Sequence, residues 1–76
     1  MYFEIEIQTN AEGTESKAIY SYEAKDNAVA VFHQKMASGI TAGLAGTLKK
    51  VLNMVINEQG GTVIKEYWEA PEQPTE

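Results

Sequence analysis

A chain of 76 residues makes one small domain, and a domain of that size buries only about 60% of the surface its unfolded chain exposes, so its core is marginal. It has no cysteine and a single histidine, His33, which excludes disulfides, thiolate metal sites and a multi-histidine centre within one chain. The net charge is −5 and all six cations are lysine; a negative field without arginine argues against nucleic-acid binding.

Residues 2–9 alternate strictly, with Phe3, Ile5 and Ile7 on one face and Glu4, Glu6 and Gln8 on the other. A period of two with β-branched residues predicts a half-buried strand, and the glutamates are expected on its solvated face. Asn10-Ala11-Glu12-Gly13-Thr14 supplies turn chemistry, and Lys17 to Lys25 reads as a second strand, so the two form an antiparallel hairpin. Asp26 is placed to accept from the free amides of a helix start. Beyond it Val29, Phe32, Met36 and Ile40 recur at helical spacing, with Ser38-Gly39 as the first stop. Residues 39–47, with glycines at 39, 43 and 46, read as a flexible connection or a frayed extension of that helix.

The run Leu48 to Asn57 fits two templates. Leu48, Val51, Leu52, Val55 and Ile56 suit a helix, whereas alternation of Leu52, Met54 and Ile56 with Val51, Asn53 and Val55 suits a strand. The turn Asn57-Glu58-Gln59-Gly60-Gly61 and the β-rich run Thr62 to Trp68 favour the strand and a second hairpin. Residues 70–76, with both prolines and no large apolar side chain, read as a disordered acidic tail after a single domain over 1–69. The expected fold is α+β, in the order β-β-α-β-β: a four-stranded antiparallel sheet with one helix packed on one face. The alternative is β-β-α-α-β with residues 44–57 helical.

No signal peptide is expected, since Met1-Tyr2-Phe3-Glu4-Ile5-Glu6 has no basic region and carries two acids. The longest uncharged run, Met36 to Leu48, is 13 residues, short of the about 20 that span a bilayer. A cytoplasmic protein without a membrane segment is the expectation, and the absence of cysteine fits a reducing compartment.

No catalytic constellation emerges. Ser16, Ser21 and Ser38 lie in no nucleophile motif, and His33 borders the buried stripe of the helix, where a packed or surface histidine is the plainer account. Glu4 with Glu6, and Glu66 with Glu69, are what a solvated strand face looks like. The glycines at 39, 43 and 46 match neither a phosphate loop nor a dinucleotide fingerprint. No catalytic, cofactor or metal residue is therefore assigned.

One helix shields one sheet face, yet strands 2, 3 and 4 carry apolar residues on both sides. A homo-oligomer, in the first instance a dimer, follows as an expectation, with Tyr20, Tyr22, Val51, Val55, Tyr67 and Trp68 as the candidate interaction surface. The best functional reading is a small non-enzymatic interaction or accessory module that self-associates and binds another protein. The alternative is a small-molecule binder or minor enzyme whose site lies at an oligomer interface and involves His33, Tyr20, Tyr22 or Trp68.

Overall fold

The computed structural model describes residues 1–71. Strands β1 (Tyr2–Asn10) and β2 (Glu15–Tyr22) precede helix α1 (Lys25–Leu44), and β3 (Leu48–Asn57) and β4 (Thr62–Glu69) follow it. All neighbouring strands are antiparallel, in the order β2-β1-β3-β4. This is the expected β-β-α-β-β arrangement. Residues 48–57 are a strand because β3 is central, bonded to β1 on one side and β4 on the other. Both of its edges are therefore hydrogen-bonded and its inward-pointing Val51 and Val55 lie under the helix, which places an apolar run that alone suits either template.

The two hairpin loops are built alike. In the first, Asn10 Oδ1 accepts from the amides of Glu12 (3.0 Å) and Thr14 (2.9 Å). In the second, Asn57 Oδ1 accepts from Gln59 (3.0 Å) and Gly61 (2.8 Å). Each loop is closed by the same pair of backbone bonds, Asn10 N–H to Thr14 O with Gly13 N–H to Asn10 O, and Asn57 N–H to Gly61 O with Gly60 N–H to Asn57 O. An Asn whose side chain mimics a further turn of backbone thus fixes the register of both hairpins.

Three local readings of the helix are corrected. Asp26 does not cap it: the N-cap is Ala24, which makes no side-chain bond, and Asp26 sits in the first turn, where its charge meets the positive end of the helix dipole. The helix does not stop at Ser38-Gly39 but runs on to Leu44. The stop is Gly46, at φ 90°, in a Schellman arrangement: Gly46 N–H donates to Gly43 O and Thr47 N–H to Ala42 O. Gly39 and Gly43 belong to the buried face, and the reason is proximity. A Cβ on Gly39 would lie 2.6 Å from Val51 Cγ1, and one on Gly43 would overlap the Trp68 ring. The backbone approaches the sheet where a side chain would hold it away, and this packing outweighs the poor helix propensity of glycine.

The core lies between α1 and one sheet face. Ala28, Phe32 and Met36 of the helix meet Val51 and Val55 of β3, with Tyr2, Tyr22, Ile40, Leu48, Val63, Ile64 and Trp68 packed around them. Val51 and Val55 are fully buried here and so are not on an open interaction surface, which corrects their expected place. The Ala70 amide donates to Lys49 O at 2.8 Å, so the pairing of β3 continues to that residue. The rest of the expected acidic tail, residues 72–76, lies outside the described residues.

Gly43→Ala isolates the close approach. At an exposed helix position the change would add up to about 1 kcal/mol of stability. Here the added methyl must displace Trp68, and a net loss of about 1–3 kcal/mol in urea unfolding is expected.

Candidate functional site

Register decides what each face of the sheet presents, because directly paired residues point the same way. Glu4 pairs with Tyr20 and Val55, Glu6 with Ala18 and Asn53, and Gln8 with Ser16 and Val51. Since Val51 and Val55 form the core, the helix covers the glutamate face of β1. The expected solvated face of that strand is the inner one, and Glu4 is 0% exposed.

The inner face therefore holds a polar row within a small core. Glu4 Oε1, Glu4 Oε2 and Asn53 Oδ1 are buried without a hydrogen-bond partner among the described residues. The Asn53 amide donates to Met36 Sδ at 3.1 Å, a weak acceptor. Burial, first, and the adjacent Glu6 charge raise the Glu4 carboxyl from 4.5 to about 7, against the opposing pull of Lys35. Lys35 reaches over from α1. Its Nζ lies 3.9 Å from Glu6 Oε1, 3.4 Å from the Tyr20 hydroxyl and 4.6 Å from the centre of the Tyr20 ring. Gln8 Nε2 donates to Glu6 Oε2 at 3.2 Å.

The outer face is the reverse. Phe3, Ile5 and Ile7 of β1 pair with Ile56, Met54 and Leu52 of β3, and these six form a continuous apolar block across the two central strands. Ile19 of β2 and Tyr67 of β4 extend it to the edge strands, and they are 57% and 53% exposed. Among the described residues no element covers this face, and the six central side chains, flanked only by their neighbours in the sheet, are half-buried. Polar groups surround the block: Glu15, Lys17 and Ser21 on β2, and Thr62, Lys65 and Glu69 on β4. Tyr67 donates its hydroxyl to Glu69 Oε2 at 2.7 Å.

The sequence-derived candidates are thus divided. Tyr67 stands on the outer face; Tyr20, Tyr22 and Trp68 point to the helix side with the buried Val51 and Val55. Nor does the fold gather His33, Tyr20, Tyr22 and Trp68 into one site. Tyr20 and Tyr22 lie on one edge strand and Trp68 on the other, while His33 is exposed, edge-on to Phe32. The residues that sequence reasoning missed are Phe3, Ile5, Ile7, Leu52, Met54 and Ile56. Their alternation marks them as apolar strand faces but cannot tell which face the helix takes.

A cleft of about 290 Å³ opens where α1 ends, lined by Ala11, Gly43, Leu44, Leu48, Lys49 and Glu69 among others. It contains none of the candidate residues. No group of three or more His, Cys, Asp or Glu among the described residues could hold a metal ion. No helix among them is long and apolar enough to cross a membrane. No family model matches the chain, and no curated protein or solved structure matches it either.

Asn53 offers a direct test of the inner polar row. Asn53→Val removes an acceptor that has no donor among the described residues and places an apolar, strand-favouring side chain against Met36. Urea unfolding should show unchanged or increased stability, by about 1 kcal/mol; a marked loss would mean that Asn53 is satisfied in solution.

Proposed function

We propose that the protein is a non-enzymatic interaction module that works by self-association, with the outer sheet face as its contact surface and a second copy of the chain as its occupant. The observation that carries this reading is the apolar block of Phe3, Ile5, Ile7, Leu52, Met54 and Ile56, which no element among the described residues covers.

Four strands about 4.8 Å apart and about seven residues long give a face on the order of 400 Å² in projection. Patches beyond a few hundred Å² seldom stay exposed on a monomer. Two such faces packed about 10 Å apart would bury roughly 1,000 Å² in total, at the low end of specific interfaces. The result would be a helix–sheet–sheet–helix sandwich in which each sheet has both faces covered.

Charge favours a second copy as the occupant. The chain carries −5, so copies repel over most of their surface. The outer face instead carries Lys17, Lys50 and Lys65 with Glu15 and Glu69, a mixture of signs around an apolar centre. Such a rim can complement itself, and the apolar-centre, polar-rim layout is that of specific interfaces. A further protein partner and a cytoplasmic location belong to the same reading; they rest on small size, the lack of a catalytic group and the absence of cysteine.

Light scattering on purified protein at micromolar concentration should give twice the chain mass of 8.4 kDa. Met54→Lys places a charge at the centre of the block, away from the helix-side core, and should yield a monomer with an unchanged circular dichroism spectrum. A wild-type chain that is monomeric throughout the micromolar range removes the proposal.

A further inference from the structure

We propose that Glu4 is a proton-controlled latch for helix α1: the helix seats fully on the sheet when the carboxyl is neutral and loosens when it is ionised. The inference is independent of self-association, because Glu4 lies on the opposite side of β1 from the outer face.

The geometry carries it. Glu4 is 0% exposed on a central strand beneath α1, and neither carboxyl oxygen has a partner among the described residues. An ionised carboxylate in that position has lost its water and gained no donor, a state that costs far more than a buried neutral acid. A protonated carboxyl needs much less, and it brings one O–H donor to an interior whose other orphan, Asn53 Oδ1, is also an acceptor.

The charged and titratable groups around it reinforce the asymmetry. On its own strand stands Glu6, whose negative charge disfavours a second one beside it. Strand β2 contributes Tyr20, directly opposite, and Tyr22 at the strand end, neither of which donates to Glu4. Strand β3 contributes Val55 opposite and the neutral Asn53, and β4 contributes Glu66, paired beyond Asn53. Helix α1 contributes Lys35, the one cation that acts on Glu4, but its ammonium is already shared between Glu6 Oε1 at 3.9 Å and the Tyr20 hydroxyl at 3.4 Å. The balance leaves the carboxyl titrating at about 7 rather than 4.5.

The direction of the pH effect follows. Between about 4.5 and about 7 the folded chain holds a proton that the unfolded chain has released. The stabilisation is complete below that window, is lost as pH rises through it, and stays lost above. The element that loses its seat is α1, and the chain has a reporter for it. Trp68, the single tryptophan, packs against Gly43 on the buried face of the helix.

Thermal melts between pH 5 and 8.5 at fixed protein concentration, read by Trp68 fluorescence, test the latch. The wild-type melting temperature should fall by about 10 °C across this range. Glu4→Gln should flatten the profile and match or exceed the wild type at pH 8. His33→Gln should keep the wild-type slope, which removes the exposed histidine as its source. Should Glu4→Gln fail to fold, carbon-13 titration of the wild-type carboxyls still decides, with a Glu4 midpoint between about 6 and 8 expected. A midpoint in the ordinary glutamate range, a wild-type profile without slope, or a slope that survives Glu4→Gln would each overturn the proposal.

Discussion

Among the described residues four strands and a single helix leave one sheet face without cover, and the structure turns on which face the helix takes. β2 and β3 are both antiparallel to β1 and therefore parallel to each other, so β2-α1-β3 is a crossover that passes over β1. Crossovers of this kind are right-handed in nearly all proteins, because a right-twisted strand and a right-handed helix pack back onto the sheet only that way. Chain topology thus limits the helix to one side whatever β1 presents there. With Val51 and Val55 of β3 on that side, register brings Glu4 and Glu6 of β1 along, and it sends Phe3, Ile5 and Ile7 to the other. The buried carboxyl and the uncovered apolar block are two results of one choice.

The elements were legible in the sequence, and their orientation was not. Alternation in β1, the Asn-and-Gly loops and the stripe through Phe32 and Met36 are local signals, and local hydrogen bonding or packing answers to each of them. The strand over 48–57 could be inferred only from its neighbours, the turn after it and the β-rich run beyond. Three features were hidden because they depend on partners far along the chain. Gly39 and Gly43 look like breaks until Val51 and Trp68 are placed beneath them. Val51 and Val55 look available until the helix lies on them. Glu4 looks solvated, since alternation separates two faces of a strand without saying which is inside.

The interior that results is unusual for so small a domain. Among the described residues its buried apolar side chains are few (Ala28, Phe32, Met36, Val51 and Val55), and among them sit a carboxyl and an amide with unpaired acceptors. Close backbone approach at Gly39 and Gly43 compensates by bringing the helix within contact of β3 and β4. The packing is tightest where the helix carries glycine and the facing strands carry Val51 and Trp68. The polar row lies beside it, on the β1 and β2 side, where Lys35 and Tyr20 form its outer wall.

The twin loops have a geometric consequence for the outer face. Because Asn10 and Asn57 start equivalent turns at opposite ends of neighbouring strands, a half-turn about the sheet normal carries the first hairpin onto the second. Under that rotation Ile5 exchanges with Leu52 and Ile7 with Met54. On the edge strands, once the irregularity in β4 between the partners of Val55 and Ile56 is allowed for, Lys17 exchanges with Lys65 and Ile19 with Tyr67. The surface is thus a near-palindrome in two dimensions. A flat partner meets a similar relief in two orientations, and the ends of the strands tell them apart: Phe3 against Lys50, Thr9 against Ile56, Ser21 against Glu69 and Glu15 against Thr62.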